Sequence, residues 1–332
     1  MNNKLIGLAV ILFSFVGGWL WMDYQTALYA PAVKQEKVCV EINKGDSLNV
    51  IADKLAARNP AIKPFWFKVV AFQDNSAKKL RTGEYELTRG MTIRNVIDLF
   101  VQGKTKQYAI TFPEGWSFKE ITQEIRKNPN LEHILGKMPV DQVMTQLGAE
   151  IRMPEGQFFP DTYFFEKHMS DVSLLKRAYD KMQKVLLEEW SHKAEGLPFN
   201  TPYDALILAS IIEKETGTES ERPLIAGVFI RRLKNGMPLQ TDPTVIYGMG
   251  ERYRGNIGSE DLKNATPYNT YLIKGLPPTP IAMPGQQAIH SVLHPDNSDT
   301  LYFVARGDGT HVFSTTLKEH NQAVNLYQKP PK

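Results

Sequence analysis

The sequence predicts an α+β protein carried on a single N-terminal transmembrane helix, and three observations predict it. An uncharged run stands near the N-terminus, one strand–turn–helix pattern occurs three times in the first half, and the last third alternates capped apolar helices with proline-rich connectors. A chain of 332 residues, 42% hydrophobic and 23% charged, has enough apolar material for about two folded domains. The net charge of +3 is too small to indicate nucleic acid as a partner, and no basic stripe interleaves with aromatic residues. Cys39 is the only cysteine, so it has no partner for an internal disulfide.

The apolar run, LIGLAVILFSFVGGWLWM from Leu5 to Met22, is just long enough to cross a hydrocarbon core of ~30 Å at ~1.5 Å per residue. Trp19 and Trp21 fit an interfacial aromatic belt. Lys4 precedes the run and Asp23 follows it, which puts residues 1–4 in the cytoplasm and the remainder on the outer, periplasmic face of the membrane. A cleaved signal peptide fits less well, because the nearest small-residue site, Ala30-Pro31-Ala32, lies far beyond the run and contains proline. Residues 23–37 then read as a linker.

The threefold pattern follows. INKGDSLNVIADKL, LTRGMTIRNVIDLF and FPEGWSFKEITQEI each carry a glycine (Gly45, Gly90, Gly115) and a hydroxyl residue two places on (Ser47, Thr92, Ser117). Apolar residues follow at helical spacing: Leu48, Ile51 and Leu55, then Ile93, Val96 and Phe100, then Phe118, Ile121 and Ile125. This is a turn glycine, an N-cap and one apolar helix face, and Ser117 with Glu120 completes a capping box. Val38–Ile42, Glu84–Leu87 and Tyr108–Phe112 alternate as strands ahead of the turns.

Residues 128–192 read as mostly helical, interrupted by MPEGQFFPDTYFF (Met153 to Phe165), where Glu155 and Asp161 stand among five aromatic residues. That composition suits a sugar groove and equally an aromatic core with acidic turns. Further on, Tyr203–Thr216 forms a helix ending at Gly217. A second helix follows Ser220, with Pro223 in its first turn and Gly236 past its end. Asp242 is expected to cap a short helix opening at Pro243, and TPYNTYLIKGLPPTPIAMPG is too proline-rich for regular structure. LYFVARGDGTHVFS reads as a hairpin turning at Asp308-Gly309, and Leu317 starts a last helix.

The helix in LILASIIEKET ends on two acids. Glu215 shares its face with Leu208, Ile211 and Ile212, whereas Glu213 lies over Ala209 and Ser210, about 200° away round the axis. The two cannot act as one carboxylate pair. A carboxyl over an apolar stripe and at a helix C-terminus is discouraged from ionising, which a general acid for glycosidic oxygen requires. Two solvated glutamates closing a helix and paired with Lys214 or Arg222 are the plain alternative.

ASIIEKET, SER, VFIRRL, LQTDPTVIYGMG, YNTY, GLPPTPI and HNQAV, in this order, resemble the YceG/MltG family of endolytic murein transglycosylases, membrane-anchored enzymes that cut peptidoglycan glycan strands. The first two strand–turn–helix units, with AIKPFWFKVVAF between them, resemble a LysM-like module, a small α+β fold that binds glycans containing N-acetylglucosamine. The resemblance implies a LysM-like module at residues 38–105 and a mixed α/β catalytic domain at 106–332 with a lysozyme-like catalytic helix end. It implies Glu215 as the catalytic residue, the EGQFFPDTY loop with Glu155 and Asp161 at the substrate, and Gln240, Thr241, Asp242, Tyr247 and Asn269 in substrate positioning. The implied partners are peptidoglycan strands and cell-wall synthases (penicillin-binding proteins) at the bacterial cytoplasmic membrane, with no cofactor and no metal.

The implied reaction cleaves the β-1,4 bond between N-acetylmuramic acid and N-acetylglucosamine, leaves 1,6-anhydro ends and ends strand elongation. Three other readings fit parts of the chain. A muramidase would add a carboxylate, Asp161 or Asp242, to the same acid. A membrane-anchored binding protein would not need Glu215. A metallohydrolase would use His290 and His294, spaced i and i+4, with His311 and His320, yet no glutamate follows His290 as in metalloproteases.

Overall fold

The structure, a computed structural model, describes residues 2–328, with side chains from residue 5 onward. Lys4 and the rest of the expected cytoplasmic end therefore lie outside the described side chains, and the last four residues of the expected 106–332 domain lie outside the described residues. The chain mixes helix and strand and divides into two compact units, Met1–Tyr108 with Phe164–His168, and Ala109–Tyr163 with Met169–Lys332.

The first unit opens with α1 (Asn2–Tyr29), whose side chains from Leu5 to Met22 are all exposed. An apolar helix with no buried face suits lipid rather than water, and this one fits a single-pass membrane anchor. The helix does not stop at Met22. Tyr24, Ala27 and Leu28 pack against the core of the unit, and Asp23 accepts hydrogen bonds from Lys63 Nζ (2.6 Å) and Trp66 Nε1 (2.7 Å). The stretch expected as the start of a linker is thus helical and docked.

Next come β1 (Lys37–Ile42), α2 (Leu48–Arg58), α3 (Pro64–Gln73), β2 (Gly83–Thr88) and α4 (Ile93–Gln102). The two strands are antiparallel, from Lys37 opposite Thr88 to Ile42 opposite Gly83. Alternate residues Val38, Val40, Ile42, Tyr85 and Leu87 face Leu55, Phe67 and Phe100 in one core. Ser47 and Thr92 cap α2 and α4 as their spacing predicts, and Gly45 (φ 91°) and Gly90 (φ 92°) take the left-handed turn conformation that glycine adopts without penalty.

β3 (Gln107–Thr111) pairs with β5 (Thr162–Glu166), and each of these strands contributes residues to both units. In the second unit α5 (Phe118–Lys127) carries the expected Ser117–Glu120 capping box. β4 (Leu131–Glu132) pairs in parallel with β6 (Met169–Ser170), and only the seven-residue α6 (Val140–Gln146) precedes α7 (Asp171–Ser191). This is less helix than the sequence reading expected. Gly136, Pro139 and Gly148 interrupt the run, and the buried Asp171 carboxylate accepts the N–H groups of Ile134 and Leu135 at 3.0–3.2 Å, fixing a turn where helix was expected.

The last third contains α8 (Pro202–Glu215), α9 (Arg222–Lys234), α10 (Asp242–Met249), α11 (Ser259–Lys263), α12 (Gln286–Leu293), the hairpin β7 (Tyr302–Ala305) and β8 (His311–Ser314), and α13 (Leu317–Tyr327). Every residue of α8 from Ala205 to Ile212 is buried, and α7, α9, α10 and α12 pack around it. A helix apolar on all sides has to be central. The proline-rich run has no regular element but is pinned to α8, since Ile281 N–H donates to Ser210 Oγ (2.9 Å) and Gly285 N–H to Glu213 Oε2 (2.9 Å).

Candidate active site

Glu215 is the last residue of α8, where the negative end of the helix dipole meets its carboxyl. Its side chain lies at a cleft of 420 Å³ shared with Gln240, Thr241, Asp242, Arg232, Tyr271 and His311. Burial pushes the Glu215 carboxyl up to about 7; the Thr241 hydroxyl, which donates to Oε1, and His311 whenever its ring is protonated pull the other way, while Asp242 adds to the rise. A carboxyl so placed is partly protonated at neutral pH, and it can give a proton and take one back.

The loop before α10 is built to present that donor. Asp242 is not the cap expected from the sequence: it is the first helical residue, and Thr241 occupies the N-cap position without a capping bond because its hydroxyl serves Glu215 instead. Gln240 adopts φ 55°, a left-handed conformation unusual for a side-chain-bearing residue. Two partners hold it there, Thr270 O accepting its N–H (3.0 Å) and the buried Arg232 guanidinium donating to its Oε1 (3.2 Å). Thr270 Oγ1 also accepts from Thr241 N–H (3.1 Å), and Tyr271 donates its hydroxyl to Asp242 Oδ1 (2.6 Å). Backbone strain of this kind persists only where neighbours over-determine it.

The other expected residues lie elsewhere in the second unit. Asn269 is buried as a brace: its amide donates to the carbonyls of Leu262 (3.0 Å) and Asn264 (2.8 Å), and its Oδ1 accepts Tyr271 N–H (3.1 Å). Glu155 and Tyr247 line a separate pocket of 390 Å³ with Phe118, Arg126 and Met153. There Glu155 accepts from Phe118 N–H (3.0 Å) at the first turn of α5 and from the Tyr247 hydroxyl (3.1 Å), and burial pushes its carboxyl up to about 7 despite these bonds. Asp161 lines neither pocket; it pairs with Lys181 and caps Thr162 N–H (2.7 Å).

Glu213 is kept away from Glu215 as the helical spacing predicts. It is held by Gly285 N–H and by Arg222 Nη2 (3.4 Å), and burial raises its pKa even so. His290 and His294 converge with Glu189 so that one ligand atom of each lies within 4.8 Å of the others. Three of their ring nitrogens are already bonded, His290 Nδ1 to Glu189 Oε2 (2.8 Å), His294 Nε2 to His192 O (2.8 Å) and His294 Nδ1 to His290 O (3.2 Å). Arg232, Tyr271 and His311 were not singled out from the sequence as parts of the acid's cleft, although the first two stand within the quoted VFIRRL and YNTY motifs.

Fold and site together place a carboxyl of raised pKa in a polar cleft at the end of a buried helix. The YceG-like family model matches residues 40–326, and the chain belongs to that family. It is 33% identical over 323 residues to a Bacillus subtilis (strain 168) protein named endolytic murein transglycosylase, covering 92% of this chain and 89% of that one. A Streptococcus pneumoniae (serotype 2, strain D39) protein of the same name is 28% identical over 349 residues, and there the chain spans only 62% of the relative's length. The crystal structure of a yceG-like protein from Listeria monocytogenes is similar at a TM-score of 0.54 and 28% identity, covering 86% of this chain and 98% of that one.

Proposed function

We propose that this chain is an endolytic murein transglycosylase, anchored in the bacterial cytoplasmic membrane by α1 and acting on peptidoglycan strands on the outer face. The observation that carries the reading is Glu215, a carboxyl raised to about 7 at a polar cleft. The names of the Bacillus and Streptococcus relatives support the same substrate.

In this reading protonated Glu215 donates to the oxygen linking N-acetylmuramic acid to N-acetylglucosamine while positive charge develops at C1. The carboxylate then takes the proton of the muramoyl C6 hydroxyl, whose oxygen closes onto C1 to give a 1,6-anhydro end. One residue serves as acid and then base because the nucleophile is internal. Gln240, Thr241 and Asp242 position the sugars beside the acid. Glu155, Asp161, Tyr247 and Asn269 act on the strand or its setting further off. The β–α–α–β order of residues 37–88 supports a LysM-like module over 38–105, with the catalytic domain over 106–332. Cell-wall synthases are the partners this activity calls for, and ending of nascent strands is its outcome.

A muramidase is the second reading, because Asp242 lines the cleft with Glu215. Mass spectrometry separates the two. Fragments released from uncrosslinked glycan strands by the full chain in detergent should end in anhydro sugars, one water lighter than hydrolysis products, and should vanish with Glu215→Gln. Hydrated reducing ends would establish the muramidase, and cleavage that survives Glu215→Gln would remove the acid assigned here.

A further inference from the structure

A second ionisable pair reaches the cleft of Glu215 through His311. Glu221 lies in the short turn between α8 and α9, with its side chain 11% exposed, and it holds His311 at two points. Oε1 accepts the His311 backbone N–H (2.9 Å) and Oε2 accepts ring Nδ1 (2.7 Å). A carboxylate gripping one residue by both its amide and its ring fixes the rotamer and places the ring proton on Nδ1.

Nε2 is thereby left with its lone pair, and among the described residues it makes no hydrogen bond. The ring packs edge-on against Phe303 (5.4 Å between centroids, 83°), which stops it from turning away. His311 lines the same cleft as Glu215. A buried carboxylate, an imidazole of fixed tautomer and an open acceptor at the cleft of a general acid are more than packing requires.

We propose that His311 Nε2 accepts a hydrogen bond from an O–H or N–H group of the sugar flanking the scissile bond, with Glu221 as the positioning residue that keeps Nε2 an acceptor. This rests on the glycan-cleaving reading above and adds to it a substrate contact. The groups that face the ring or share its cleft are Glu221, Glu215, Arg232, Asp242, Tyr271 and His320. Protonation of the ring would undo the arrangement twice. Nε2 would become a donor, and the new cation would lower the pKa of Glu215 and deplete its acid form.

The test uses the full chain in detergent. Glu221→Gln keeps the shape: its amide oxygen can still accept the His311 N–H, while its NH₂ donates to Nδ1 and forces the ring proton onto Nε2. Exchanging a carboxylate for an amide beneath a working imidazole is known to trap the wrong tautomer with large loss of rate. We expect cleavage to fall by about 10²-fold in Glu221→Gln and His311→Phe, at unchanged melting temperature. His311→Gln, which offers an amide oxygen near the position of Nε2, should be rescued in part.

Nitrogen-15 spectra of histidine-labelled protein give a readout independent of turnover. Nε2 should appear as the unprotonated nitrogen in the wild type, as the protonated one in Glu221→Gln, and should shift when glycan strands are added to Glu215→Gln protein. A wild-type rate in Glu221→Gln, an Nε2 signal indifferent to strands, or losses that only track the unfolded fraction would each overturn the proposal. Hydrated ends from the wild type would overturn the transglycosylase reading alone, since the tautomer and strand-binding signals would still report on His311.

Discussion

Glu155 and Glu215 have nearly the same acidity and opposite surroundings. Each is pushed to about 7 by burial. Glu155 spends both oxygens on fixed donors, a backbone N–H at the start of α5 and a tyrosine hydroxyl, in a pocket walled by Phe118, Met153 and Pro154. Glu215 has one donor, the Thr241 hydroxyl, and shares its cleft with Gln240, Asp242, Tyr271 and His311. A raised pKa marks desolvation; only the company of the carboxyl marks chemistry.

The sharpest way to break this comparison is to neutralise each acid in turn. Glu215→Gln should lower cleavage by about 10²–10⁴-fold, the range of a lost general acid. Glu155→Gln should cost less than about tenfold, the scale of one or two ordinary hydrogen bonds of ~1 kcal/mol each. Rates on isolated strands decide it, and equal losses would mean that the two pockets work as one site.

In stability the two acids should behave alike. A carboxyl whose folded pKa lies above its unfolded value favours folding while it is protonated, so its contribution is full below about pH 4.5 and is lost as pH rises through about 7. A rise of this size corresponds to roughly 3 kcal/mol per group as an upper bound. The melting temperature of the wild type should fall between pH 5 and pH 8, and either Gln variant should flatten that fall. A flat wild-type profile would mean that neither carboxyl is desolvated as described.

Gly156 tests whether the Glu155 loop is a separate structural unit. Its φ is +79°, and a Cβ there would stand 2.4 Å from Pro280 Cβ. Gly156→Ala should destabilise by about 3 kcal/mol, combining left-handed strain with overpacking. The surviving folded enzyme should keep the pH profile set by Glu215. A changed profile would tie this loop to the acid's cleft.

What could be read in advance was local. Turn glycine, hydroxyl cap and apolar face identify α2, α4 and α5, because each is decided within about ten residues. Helical spacing alone separates Glu213 from Glu215. The Asp242 cap was misassigned because two cap-capable residues stand side by side and a partner 26 positions away, Glu215, recruits the hydroxyl of the first. His311 drew attention in the sequence only as a possible metal ligand. Its partner Glu221 lies 90 residues earlier, a pairing that no local pattern carries. Residues 128–170 misled for the same reason, their turn being fixed by Asp171 some 36 residues downstream.

The finest test changes one donor on each acid. Thr241→Val removes the hydroxyl that favours the charged form of Glu215, so the carboxyl should become harder to ionise and the alkaline limb of cleavage should move up by about one pH unit. Tyr247→Phe removes the corresponding donor from Glu155 and should leave that limb in place. Valine matches threonine in shape, so a shift without loss of melting temperature isolates the hydrogen bond. If Thr241→Val leaves the limb still while Tyr247→Phe moves it, the ionisation that limits cleavage belongs to Glu155, and the roles given to the two pockets have to be exchanged.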